Sequence, residues 1–167
     1  AVMASGKKIE LAHVPDENGV IRITTDYPDY IAFMKYAEDL ESRRLLYKEF
    51  SNRAHPINEK VLKDLLTARY KLAQLLGYNN YAVYATENKM IKTAQASADF
   101  IEKISDLSQD AAQKDYQELL DIKKQIEPKA KKVFSYESSY FREKLKKKRY
   151  DFDSQEVRNY FSYAKVR

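Results

Sequence analysis

The chain has no cysteine and no tryptophan, and only two histidines, three glycines and four prolines in 167 residues. Without cysteine there is no disulfide, no thiolate zinc site and no cysteine nucleophile. A reducing compartment, the cytoplasm, is the expectation. No apolar run reaches the length of about 18 residues that a membrane-spanning helix needs, so no membrane partner is expected. The opening AVMASGKKIEL lacks a continuous hydrophobic segment of signal-peptide length. Gly6, Gly19 and Gly77 stand singly, which excludes a glycine-rich phosphate loop, and no G-x-S-x-G nucleophile turn occurs.

What is present is charge of both signs and many tyrosines. Thirty basic against 25 acidic residues give a net charge of +5, spread by alternation through most of the chain as on solvated helix faces. Only LKKKRY, Leu145 to Tyr150, is a true basic run. Lys146, Lys147, Lys148 and Arg149, with Tyr150 and Phe152 as stacking groups, form a candidate nucleic-acid surface. The amphipathic spacing of Arg142, Glu143, Lys144 and Leu145 favours an ordinary solvated helix face instead, and no nucleic-acid partner is expected. Fourteen tyrosines and seven phenylalanines must find places in a core or a binding surface.

So few breakers predict long helices. Residues 1–6 read as a disordered start or a cloning remnant. Residues 7–25 read as the one β-hairpin, because KKIELAHV and VIRITT flank PDENG, whose Asn18-Gly19 pair suits positive φ. From residue 26 to 167 the pattern is helical. Pro28 suits a first helical turn, with Tyr30, Ile31, Met34, Tyr36 and Ala37 as its apolar stripe. Asp39 caps a second helix with Leu46, Tyr47, Phe50 and Ala54 inward. Asn58 caps a third, in which Val61, Leu62, Leu65, Leu66, Leu72, Ala73 and Leu76 repeat at spacings of three and four and read as a core face. Gly77 ends it with a left-handed cap.

The stretch LLGYNNYAVYATENKM, Leu75 to Met90, is therefore a corner: Tyr78, Asn79 and Asn80 precede a short helix with Tyr81 and Tyr84 facing inward. Thr93 caps a long helix to about Ile126, which Pro128 stops. A further helix runs from Tyr136 to Tyr150, Asp151 to Ser154 break it, and Gln155 to Phe161 form a last turn or two. The fold class is mainly α, a multi-helix bundle with a small N-terminal hairpin.

Metal chemistry has few ligands to draw on. His13 and His55 are the only histidines, they lie in different elements, and neither belongs to H-E-x-x-H, which would set two imidazoles on one helix face. No metal site and no catalytic residue are expected within the chain.

Three segments, VIRITTDYPDYIAFMKYAEDLESRRLLYKEFSNRA, LLTARYKLAQLLGYNNYAVYATENKMIKT and YESSYFREKLKKKRYDFDSQEVRNYF, resemble in order and spacing the region ahead of the zinc motif in the thimet oligopeptidase and neurolysin group of metallopeptidases. That group includes bacterial oligopeptidase A, dipeptidyl carboxypeptidases and the mitochondrial intermediate peptidase. The resemblance covers about residues 19–166. Its most specific parts are Tyr27-Pro28-x-Tyr30, Arg43-Arg44 through Phe50-x-x-Arg53, Leu75-Leu76-Gly77-Tyr78-x-x-Tyr81-Ala82, and Tyr160-Phe161. Two positions depart from the family pattern. Tyr136-Glu137 before Tyr140-Phe141 stands where the family has Trp-Asp before Tyr-Tyr, and Ser162 replaces the proline after Tyr-Phe.

The resemblance implies a piece of a zinc oligopeptidase that forms part of the helical wall of its substrate channel. The H-E-x-x-H helix, the third zinc ligand and the transition-state groups of the family lie C-terminal to this region. The resemblance thus places zinc, and hydrolysis of short peptides, in the parent enzyme rather than on any residue here. The partners it implies are short peptide substrates and the remaining catalytic half of the same polypeptide. Tyr78, Tyr81, Tyr84 and Tyr140 are the candidates for contact with the channel. A stand-alone helical interaction module, without catalytic activity, is the alternative.

Overall fold

A computed structural model describes residues 15–151 and 160–161. They form six helices: α1 (Tyr27–Tyr36), α2 (Leu40–Ser51), α3 (Glu59–Leu75), α4 (Tyr81–Glu87), α5 (Ala94–Ile126) and α6 (Ser135–Tyr150). The chain divides into two compact units, residues 1–51 with 115–167 and residues 52–114, and α5 belongs partly to each.

The hairpin expected over 7–25 is not there: no strand occurs among the described residues. Its turn does form. Asp16 Oδ1 accepts from the backbone N–H groups of Asn18 and Val20, both at 2.9 Å, and Gly19 takes φ +75°. The arm after it finds other partners. Thr24 donates through its backbone N–H and its hydroxyl to Asp29 Oδ2 of α1, at 3.0 and 2.7 Å, so this segment is tied to a helix start instead of a ladder. The other arm, the expected start at 1–6, His13, the break at 152–154 and most of the last turn lie outside the described residues.

In the first unit, α6 packs on α1 and α2, and α1 on α2. Leu119, Ile122 and Phe141 form its apolar centre, with Val133, Tyr140 and Leu145 packed against them. Burying a side chain such as Phe141 stabilises by about 1.5–3 kcal/mol. From α1, Phe33, Met34 and Ala37 are buried, whereas Ile31, expected in the stripe, faces solvent. Phe50 of α2 stacks on Tyr30 at 3.7 Å between centroids and meets the edge of Tyr27 at 5.7 Å.

The helix ends follow their capping residues. Asp39 Oδ2 accepts from Ser42 N at 2.7 Å, and Thr93 Oγ1 from Ala96 N at 3.0 Å. Asn80 Oδ1 accepts from Val83 N at 3.0 Å and opens α4. Asn58 occupies the position before α3, but its side chain makes no capping bond; its carbonyl accepts from Leu62 N instead. After α3, Gly77 at φ +82° lets Gly77 N reach Gln74 O at 3.0 Å and Tyr78 N reach Ala73 O at 2.9 Å. Those two bonds together are a Schellman cap.

The core face predicted for α3 is the other correction. In the second unit only Ala73 of that stripe is buried, against α4, while Leu66 is 55% exposed and Val61, Leu62, Leu65, Leu72 and Leu76 are exposed with it. The spacing of three and four is a real amphipathic pattern. It reports what a helix is built to cover, not what covers it.

Candidate functional site

The Schellman cap turns the chain sharply, and the Asn80 cap starts α4 three residues later, so Tyr78, Tyr81 and Tyr84 converge. Tyr84 lies 5.3 Å from Tyr78 and 5.8 Å from Tyr81 between ring centroids, both pairs tilted by nearly 60°. All three are half-buried. Gln74 Nε2 of α3 locks the corner by donating to Tyr78 O and Asn79 O at 3.0 and 2.9 Å. The guanidinium of Arg69 sits 5.2 Å over the Tyr81 ring.

The Tyr78 hydroxyl donates to the Glu87 carboxylate. That bond, seconded by desolvation and by the charge of Glu87, raises the Tyr78 pKa above the ordinary phenol value. The phenol therefore stays protonated and acts as a donor, and it is unsuited to serve as a general base near neutral pH. What the cluster offers is an aromatic surface on a rigid corner.

Tyr140 belongs to the first unit and has a different setting. The Arg43 guanidinium carbon lies 4.1 Å from its ring centroid and Lys144 Nζ 4.7 Å from it, and Phe141 meets it edge-on at 5.3 Å. Arg43 is itself only 2% exposed. Beneath it lies a buried ion pair, Lys123 with Glu137, whose carboxylate also accepts from Phe134 N at 2.7 Å and so caps α6. Sequence reading missed Arg43, Lys123 and Glu137. The only signals were a basic residue inside the α2 apolar pattern and a glutamate three residues into α6, where a capping carboxylate belongs.

The basic run is drawn into α5. Arg149 pairs with Glu118 at 2.7 Å and Lys148 Nζ reaches Gln125 Oε1 at 3.3 Å; Phe152 is outside the described residues. His55 Nε2 sits 2.9 Å from Glu59 Oε1 at an exposed helix start. Among the described residues no group of three histidines, aspartates or glutamates is gathered to hold a metal ion, so these residues do not fit a zinc site and no zinc step runs through them. No helix among them is long and apolar enough to cross a membrane.

Capped helices, an aromatic corner and fully committed buried charges define a helical portion of a larger enzyme scaffold more than a self-contained reaction centre. The comparisons with known proteins are specific: a profile of Peptidase family M3 matches residues 33–167, and the chain belongs to that family. Organellar oligopeptidase A of Arabidopsis thaliana is 33% identical over 154 residues, which are 90% of this chain and 19% of that protein. Oligopeptidase A of Escherichia coli is 29% identical over 152 residues, 86% of this chain and 22% of its own length. Saccharolysin of Saccharomyces cerevisiae is 28% identical over 145 residues, with 84% and 20% covered. The chain thus spans about a fifth of the length of the curated relatives it matches.

Proposed function

We propose that this chain is a noncatalytic helical portion of a zinc metallo-oligopeptidase, forming part of the wall of the channel that admits short peptides. The observation that carries the reading is the unbroken family match over residues 33–167, on relatives named as oligopeptidases. In the parent, the zinc would polarise the scissile carbonyl and supply an activated water. The residues described here would contribute shape and rigidity. The corner tyrosines 78, 81 and 84 offer half-buried rings on a capped turn, which suits contact with the side chains of an extended peptide. Tyr140, held between two cations, is the fourth candidate. We place the parent in the cytoplasm.

The test is cleavage of a fluorescence-quenched short peptide by the full-length gene product and by the 167-residue chain, with and without added zinc. Zinc-dependent cleavage by the full-length product alone is the expected result. Zinc-dependent cleavage by the short chain would overturn the noncatalytic assignment.

A further inference from the structure

The second unit, residues 52–114, has one buried apolar side chain among its described residues, Ala73. The seven-residue α4 is too short to cover more than a part of the 17-residue α3 against which it packs. Toward the N-terminal end of α3, Val61, Leu65 and Leu66 are left 44–59% exposed. On the first half of α5, Phe100, Ile101 and Ile104 are 49–65% exposed.

These are not scattered surface residues. Positions 61 and 65, and 100 and 104, recur at i and i+4, the rows that form ridges on a helix surface and interlock with the grooves of another helix. Most helical stability in proteins comes from packing such a face, and a contiguous exposed apolar patch marks an interaction site.

We propose that these two stripes are the seat of apolar helical segments from the remainder of the parent polypeptide; this rests on the reading that the chain is part of a longer peptidase. Two observations favour that occupant over an unrelated protein. The family match runs through both stripes without a break, so they belong to the family scaffold. The matched relatives carry roughly four-fifths of their length outside the matched region, since the chain covers 19–22% of them.

Hydrogen exchange on the full-length product and on the 167-residue chain tests this. Amides of α3 and of the first half of α5 are expected to exchange at least about tenfold more slowly in the full-length protein, because packing suppresses local opening. Leu66→Ala should lower the melting temperature of the full-length product and leave that of the short chain unchanged. Equal exchange in the two proteins overturns the proposal. So does protection that appears in the short chain as its concentration rises, with a dimer in sedimentation, which would make a second copy the occupant. Peptide cleavage separates the two readings. A full-length protein that cleaves peptide but leaves α3 unprotected refutes the docking alone. One that protects α3 without cleaving refutes the peptidase reading alone.

Discussion

Lys123 Nζ lies 2.6 Å from Glu137 Oε1 and 2.7 Å from Oε2, joining α5 to the first turn of α6 where both side chains are shut away from water. The rings of Phe134 and Phe141 lie 5.5 and 5.8 Å from the ammonium. Removing one partner strands the other charge in this apolar setting. Lys123→Met should therefore destabilise by about 3–5 kcal/mol. The double variant Lys123→Met/Glu137→Gln should recover most of that loss, because glutamine removes the charge and can still accept from Phe134 N. Urea unfolding of the two variants decides it: equal losses would mean that the lysine acts through packing and not through charge.

Gly77 isolates a purely conformational effect. A Cβ built there meets nothing within 4 Å, yet φ is +82°. Gly77→Ala should cost about 1 kcal/mol, all of it from forcing an L-residue into the left-handed region, and Gly77→Asn should cost less. A melting midpoint unchanged by alanine would mean that α3 continues through position 77.

These two sites mark what the sequence made legible. Pro28, Asp39, Gly77, Asn80 and Thr93 act locally, within a turn of their own position, so the helix boundaries could be read from residue type alone. Arg43, Lys123 and Glu137 could not be read that way. A charged side chain is buried only when a distant residue compensates it, as Glu137 compensates Lys123 across 14 positions. The hairpin failed for a related reason: Asn18-Gly19 specifies a turn, but a strand needs a partner, and Thr24 was already committed to Asp29. The tyrosine corner was legible as a turn. The orientation of its rings, fixed by Glu87 and Arg69, was not.

Leu66 carries a prediction opposite in direction to its sequence pattern. Its place in the stripe at spacings of three and four marks it as core, where truncation to alanine would cost about 2–5 kcal/mol. With 55% of it exposed in this chain, Leu66→Ala should change the stability of the 167-residue protein by less than about 0.5 kcal/mol. A loss in the core range, measured by denaturant unfolding of the monomer, would show that the side chain is covered in solution.

Tyr78 gives a pH signature. Its folded pKa is raised, chiefly by donation to Glu87, so the bond contributes stability that is complete below the unfolded phenol value of about 10 and is lost as pH rises through the folded value. Absorbance titration of the wild type against Tyr78→Phe should assign one phenolate transition above the ordinary tyrosine range. Glu87→Gln should bring that transition down, since the amide no longer opposes the phenolate charge. A transition that Glu87→Gln leaves in place would break the assignment.

Arg43 sets burial against bonding. Burial lowers its pKa from the ordinary guanidinium value, with Tyr140 and then Glu137 opposing the shift. Its Nη1 donates to Ala37 O and, at 3.0 Å, to Glu38 O, so a cation closes the C-terminal end of α1. Its Nε has no partner, one donor's worth of desolvation left uncompensated. Arg43→Met leaves the α1 carbonyls without that donor and should cost about 1–3 kcal/mol. Arg43→Lys should recover only part, because a compact ammonium cannot both reach the two carbonyls and lie flat on Tyr140. If urea unfolding finds Arg43→Met neutral or stabilising, the desolvation of the guanidinium outweighs its bonds, and the residue is held there by something other than the stability of this helix end.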